Sequence, residues 1–288
     1  MTITETIAPR EHWTVDEAVA AVSVSLKEIQ RLGVAFSGGV DSSLLLALAA
    51  RALGPDRVVA LLGVSPSLAA EERIAAHDVA SQVGVPVVEV ETHEDDRPEY
   101  QANGADRCFY CKDELFSRIE DQVVERYQLD AIAYGENADD ARRPDRPGAR
   151  AAADHHVLRP LADAGMTKHA VRTIARALGL RVADKPAAPC LASRIPHHHA
   201  VTPAKLSQIE RAEFALRQLG FADLRVRHHD EVARVELPFE DLVRAVVDPL
   251  RSKILAAVRS AGFRFVAIDL AGIQSGAFTL PLLNSDHD

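Results

Sequence analysis

The chain has 288 residues, 47% of them hydrophobic, and a formal net charge of -9. That length allows one large domain or two, and the apolar content can fill a core of either kind. The acidic balance excludes a broad nucleic-acid surface, which needs clustered Lys and Arg, although a local basic pocket remains compatible with it. No apolar stretch approaches membrane-spanning length, and residues 1–10 show no basic start running into an apolar segment, so a cytoplasmic protein without a membrane partner is expected. Three cysteines in such a chain do not form a disulfide framework, which gives weight to a metal or reactive role.

In chain order, Thr14 offers N-cap chemistry ahead of acidic residues, and the spacing predicts a helix over 14–32, closed by Gly33. A short apolar run, 33–36, reads as the first strand; residues 37–43 follow as a loop, and 44–53 as a helix. Apolar runs at 58–64, 85–90 and 131–134 then alternate with helical patterns at 68–83 and 110–127. Such alternation marks an α/β domain, a parallel sheet covered by helices on both faces, and ligands in such sheets bind at the carboxyl ends of the strands. Residues 136–160 are polar and rich in Arg, Asp and Pro, reading as a long functional loop, and 167–178 as a helix. Three prolines around Cys190 exclude continuous helix or central strand over 185–196. Beyond it come a helix over 203–219, paired strands over 224–229 and 232–237, a helix over 239–261 and a last strand over 263–270. The expected division is residues 1–199 as the main domain and 200–288 as a small α+β domain.

Residues 37–43 read Ser37-Gly38-Gly39-Val40-Asp41-Ser42-Ser43 between a strand and a helix. Adjacent glycines let the backbone turn its N–H groups onto an anion, the serines add hydroxyls, and the helix N-terminus faces the same point. The loop has no lysine after its last glycine, so it is not a Walker A, and its glycines do not alternate as in a dinucleotide fingerprint. It resembles the PP-loop of ATP pyrophosphatases, which hold pyrophosphate while an adenylyl group is transferred. An ordinary glycine turn is the plain alternative. Cys108 and Cys111 form a C-x-x-C that can hold a metal or cluster, act as a redox pair, or be two buried thiols. Cys190, in Pro-Cys-Leu-Ala-Ser-Arg, is a third thiol; three thiolates leave one iron of a cubane cluster open.

These strings continue in register with a known family. SGGVDSS, DRCFYCK, GENADD with DRPGAR, LRPLADAGMTK, DKPAAPCLASRIP, RVRHH, ARVEL and DLAGIQSG together resemble the LarE family of ATP-dependent sacrificial sulfur transferases, over nearly the whole chain. The resemblance implies adenylation and then thiolation of a pyridinium biscarboxylate mononucleotide during nickel-pincer cofactor assembly. It implies an ATP and pyrophosphate site at Ser37, Gly38, Gly39, Val40, Asp41, Ser42 and Ser43, with Asp41 near Mg²⁺. Gly135, Asn137, Asp139 and Asp140 follow the fourth strand at the same edge of the sheet and are further candidates for ATP, with Asp140 for Mg²⁺; a solvated loop capping a helix is the plain alternative for the Asp pair. It implies Cys190 as the sulfur-handling residue; in one branch this cysteine is consumed, in another it shares a [4Fe–4S] cluster with residues matching Cys108 and Cys111. All three cysteines are present, which favours the cluster branch. Arg225 and Arg227 alternate with Val226, so both project from one face of a strand; a charge row is the plain reading, and the family's phosphate-holding arginines favour a substrate phosphate. Arg194 and Glu213 are carried over as further substrate-site residues.

The chain departs from the family pattern at Glu136, where Thr is usual, at His197-His198-His199, where Tyr-Gly is common, and near Arg143-Pro144, where a Tyr is missing. Contiguous histidines do not readily face one ion, so solvent exposure is expected of them. The expected partners are a small nucleotide substrate and further copies of the chain. A tRNA thiolase, an amide-forming synthetase and a nucleotide- and cluster-binding sensor without turnover are the competing readings; the acidic charge argues against the first.

Overall fold

The computed structural model describes residues 12–143, 146–186 and 188–274. They form two compact units: the described residues up to Ser65, Ala70–His93 and those from Cys108 to Ala188 build one, and Pro66–Ala69, Glu94–Arg107 and those from Pro189 on the other. Among the described residues no helix is long and apolar enough to cross a membrane.

The first unit is built on β1 (Leu32–Ala35), β2 (Val58–Val64), β3 (Val87–Glu91) and β4 (Ala131–Tyr134), all parallel, in the order β3-β2-β1-β4. β1, β2 and β4 are the apolar runs of the sequence, near-continuous because both sheet faces are covered, whereas β3, at the sheet edge, carries exposed Glu89 and Glu91. On one face Val59, Leu61, Ile132 and Tyr134 pack with Phe116 and Ile119 of helix Arg107–Ile119 and with Ala151 and Ala152 of helix Pro147–Asp154. Helix Val40–Leu53, ten of whose residues are buried, packs against helices Val15–Ser25 and Lys168–Ala177.

Several expected elements differ in detail. The first helix ends at Ser25, short of the expected residue 32, because Leu32 and Val34 are buried as strand residues. Residues 136–160 hold two short helices, Ala138–Ala141 capped by Asn137 and Pro147–Asp154 with Pro147 in its first turn, a position that tolerates proline. Helix Arg107–Ile119 continues through a π-helical turn at Glu120–Val124.

In the second unit β5 (Arg225–His229) pairs antiparallel with β6 (Val232–Glu236), which pairs parallel with β7 (Phe265–Ile268). Helix Pro203–Gln218 supplies Ala212 and Leu216 to a core with Val226, Val235, Ile254 and Val258. The single helix expected over 239–261 is two, Phe239–Ala245 and Leu250–Ser260. Pro249 lies between them, and the residue before a proline is pushed out of the helical region.

Candidate functional site

The Ser37 loop leaves the carboxyl end of β1, which Phe36 extends by donating its N–H to Leu61 O (2.8 Å). Gly38 adopts φ +69°, and a Cβ there would meet Ala76 Cβ at 2.9 Å and Ala76 Cα at 3.0 Å. Both conformation and space therefore require glycine. The helix begins at Val40, earlier than the expected 44, so Val40–Ser43 form its first turn. Gly39 as N-cap brings no side chain to the first amides, which leaves them to an anion. Ser42 Oγ ties the loop, donating to Gly39 O (3.1 Å), accepting from Ser37 N (3.3 Å) and lying 3.2 Å from Ser37 Oγ. Ser43 is fully buried, and its Oγ has no hydrogen-bond partner among the described residues.

β4 brings a second segment to the same edge. At Gly135 a Cβ would lie 2.5 Å from Ser42 N and 2.7 Å from the Asp41 carbonyl carbon, so the two chains touch backbone to backbone. Two residues on, Asn137 is buried and works in two directions. Its Oδ1 accepts from Asp139 N and Asp140 N (3.0 Å each), capping the short helix, while its Nδ2 donates to Asp41 Oδ1 (3.0 Å) and Asp140 Oδ2 (2.8 Å). Asp41 and Asp140 thus meet at one amide. Asp139 Oδ2 accepts from Lys168 N (2.7 Å), and Lys168 Nζ donates to Asp41 Oδ2 (2.5 Å). Asp140 also pairs with Arg146 (2.8 Å). Lys168 is the contact that sequence reasoning misses; its signal is the Thr167-Lys168 start of a helix, with Thr167 as N-cap.

Glu136, in place of the family's Thr, is buried, with Arg159 at 3.7 Å. Burial foremost, and its hydrogen bond to Glu136, push the Tyr134 hydroxyl well above the ordinary tyrosine pKa. Cys108 and Cys111 lie one turn apart on helix Arg107–Ile119, the first exposed and the second half-buried. Lys112 follows them with Nζ 4.2 Å above the Tyr134 ring, its pKa lowered by burial first and then by Arg146.

In the second unit Cys190 is exposed at the start of a tight turn, Leu191–Arg194. Leu191 N donates to Ser67 O (3.0 Å), and Arg107 donates to Ala192 O (3.0 Å) and Asn103 Oδ1 (2.6 Å). Arg194 closes the loop on itself, donating to Pro189 O (2.7 Å), and pairs with Glu213 through two nitrogens (2.9 and 3.2 Å). Glu213, 1% exposed, also accepts from Val226 N and Arg217. His198 and His199 are exposed, and His198 takes φ +65°, the left-handed turn that a glycine would enter without strain.

Arg225 and Arg227 lie on one face of β5, since both donate to Gln274 O (2.8 and 3.2 Å). They are not equivalent. Arg227 makes a bidentate pair with the buried Glu236 (2.9 Å for each bond), and Glu236 is shared with Arg234. Arg225, 6% exposed, has no carboxylate partner among the described residues; burial, then Arg227 and Arg194, lower its pKa. Among the described residues, no group of three or more His, Cys, Asp or Glu side chains is gathered that can hold a metal ion.

The asparagine synthase family model matches residues 15–123, which include the Ser37 loop. An uncharacterized protein of Synechocystis is 40% identical over 86% of this chain and 92% of its own length. The pyridinium-3,5-bisthiocarboxylic acid mononucleotide synthase of Lactiplantibacillus plantarum is 33% identical over 89% of this chain and 92% of its own. The chain belongs to the LarE family. An uncharacterized protein of Methanocaldococcus jannaschii is 30% identical over 58% of the chain and 64% of its own length. As a LarE member with a PP-loop domain, the protein is an ATP-dependent sulfur-transferring enzyme.

Proposed function

We propose that this LarE protein adenylates and then thiolates the carboxylates of a pyridinium-3,5-biscarboxylic acid mononucleotide, the precursor of the product in the name of its Lactiplantibacillus relative. A carboxylate is a poor electrophile because its leaving group is oxide; adenylation replaces oxide with AMP, and sulfur then attacks. Ser37 to Ser43, Gly135, Asn137 and Asp139 hold ATP in this reading, with the uncapped amides of helix Val40–Leu53 and the unpartnered Ser43 hydroxyl facing anionic oxygen. Asp41 and Asp140, brought together by Asn137, are carboxylates of the kind Mg²⁺ takes alongside phosphate oxygens.

The observation that carries the substrate assignment is Arg225, a buried guanidinium whose hydrogen bond goes to a backbone carbonyl and which has no carboxylate within ion-pair distance among the described residues. A phosphate monoester supplies the charge it lacks. Arg227 takes part through its fixed position beside Glu236, and Arg194 and Glu213 shape the loop that carries Cys190. In this reading residues 1–199 adenylate and residues 200–288 bind the substrate, while the compact units divide instead with Pro66–Ala69, Glu94–Arg107 and residues from Pro189 on in the second.

Cys108, Cys111 and Cys190 are free of disulfides, and the one-turn spacing of the first two suits two corners of a cluster. These three would hold a [4Fe–4S] cluster, which when bound would supply a labile sulfide at its open iron. The same reading keeps the enzyme in the cytoplasm, where such thiols stay reduced. The exposed Phe239 and Val243, one turn apart, support self-association.

Arg225→Gln is expected to weaken mononucleotide binding by roughly ten- to hundredfold, the weight of one charge-assisted contact, with little change in melting temperature. Arg227→Ala differs in kind: it leaves the buried Glu236 with Arg234 alone, which costs about 1 to 3 kcal/mol of stability. Calorimetric titration and thermal melting separate the two. Wild-type affinity in Arg225→Gln would remove the phosphate assignment.

A further inference from the structure

We infer that Asn103 and Arg107 are positioning residues for sulfur transfer, which hold the loop of Cys190 in place through its backbone carbonyls. The inference rests on the adenylation and thiolation reading and deepens it. Both residues lie far from Cys190 in sequence, yet Glu94–Arg107 belongs to the second unit together with the chain from Pro189 on.

The bonds that the loop makes within itself only close tight turns: Ser193 N to Cys190 O, Ile195 N to Ala192 O and His199 N to Pro196 O (3.0, 3.2 and 3.1 Å). A segment of this kind takes its fixed shape from donors outside it. Asn103 Nδ2 lies 3.3, 2.7 and 3.1 Å from Ile195 O, Pro196 O and His199 O, and Asn103 O accepts from His198 N (3.1 Å). Arg107 Nη1 carries the brace toward Cys190, donating to Asn103 Oδ1 (2.6 Å) and to Ala192 O (3.0 Å). With its oxygen held by Arg107, the amide keeps its nitrogen on the three carbonyls. Asn103 is 0% exposed and adopts φ +55°, a left-handed conformation that asparagine tolerates better than most residues but still at a cost. Such strain persists where the surrounding structure fixes it.

Sulfur attack on an acyl adenylate forms a C–S bond as the C–O bond to AMP breaks, and it requires the reacting atoms roughly 3 to 3.5 Å apart. Water competes for the same adenylate and returns carboxylate and AMP. Whether Cys190 gives its own sulfur or ligates a cluster, its loop sets where that sulfur stands, so loosening the brace favours water. Adenylation does not use the loop and continues.

Pyrophosphate and thiolated mononucleotide, measured together in a single turnover of the freshly purified full-length chain with ATP, Mg²⁺ and pyridinium-3,5-biscarboxylic acid mononucleotide, test this. Asn103→Gly removes the amide while keeping a residue at ease at φ +55°, and Arg107→Met removes the donor to Ala192 O. Each is expected to lower thiolated product per pyrophosphate by roughly ten- to hundredfold, with pyrophosphate release unchanged. Val258→Ala, in the core of the second unit, is the control: it lowers the melting temperature and leaves that ratio at the wild-type value, because unfolded molecules contribute to neither product. A wild-type ratio in both Asn103→Gly and Arg107→Met would show that the two residues serve the fold alone, and overturns the inference while leaving the adenylation and thiolation reading intact. No pyrophosphate, or no thiolated product, from the wild-type chain overturns both.

Discussion

Gly135→Ala is expected to lower ATP affinity by roughly five- to hundredfold and to destabilise the first unit by about 1 to 3 kcal/mol, the usual cost of forcing a methyl into packed space. The added Cβ would stand 2.5 Å from Ser42 N and 2.7 Å from the Asp41 carbonyl carbon. These are backbone atoms at the start of a buried helix and cannot swing aside. Either the end of β4 or the helix start must move, and either motion separates Asn137 from Asp41. Gly63→Ala in β2 is the control, because its Cβ would meet only the end of the flexible Leu115 side chain, at 3.0 Å. Thermal melting and ATP titration of the two variants test this. Equal behaviour of both would show that the close approach at Gly135 does not shape the ATP site.

Cys190→Ala is expected to abolish sulfur transfer while adenylation continues, because Cys190 lies on a separately braced loop of the second unit and contributes nothing to the Ser37 network. Pyrophosphate release without a thiolated product is the expected signature. Cys108→Ala and Cys111→Ala decide how the sulfur is carried. If the three thiols share a cluster, each variant loses iron, and intact mass spectrometry after turnover finds Cys190 unchanged. A wild-type chain about 34 Da lighter after turnover, off the oxidation ladder altogether, combined with a fully active Cys108→Ala, would instead identify Cys190 as the consumed sulfur source.

The phosphate loop and the parallel sheet were legible because local sequence determines both. Adjacent glycines after an apolar run allow few conformations, and alternating apolar runs and helical patterns allow few topologies. What was not legible depended on partners distant in sequence. Lys168 reads as an ordinary helix start until the fold sets it against Asp41. Arg225 and Arg227 read as twins, yet Arg227, aligned in register with Arg234, pairs with Glu236, whereas Arg225 has no carboxylate partner among the described residues. Arg194 and Glu213 read as two substrate residues, and the fold closes them on each other. The helix break at Pro249 was available from sequence, since the residue before a proline avoids helical backbone, but the apolar periodicity of 239–261 obscured it.

The most direct test of the central claim uses the cluster-loaded or freshly purified chain with ATP, Mg²⁺, sulfide and pyridinium-3,5-biscarboxylic acid mononucleotide, with nucleotide products and substrate mass followed together. The account predicts AMP and pyrophosphate, with one substrate oxygen replaced by sulfur for each AMP released. ADP as the main product, or AMP released while the mononucleotide keeps its original mass, would contradict it.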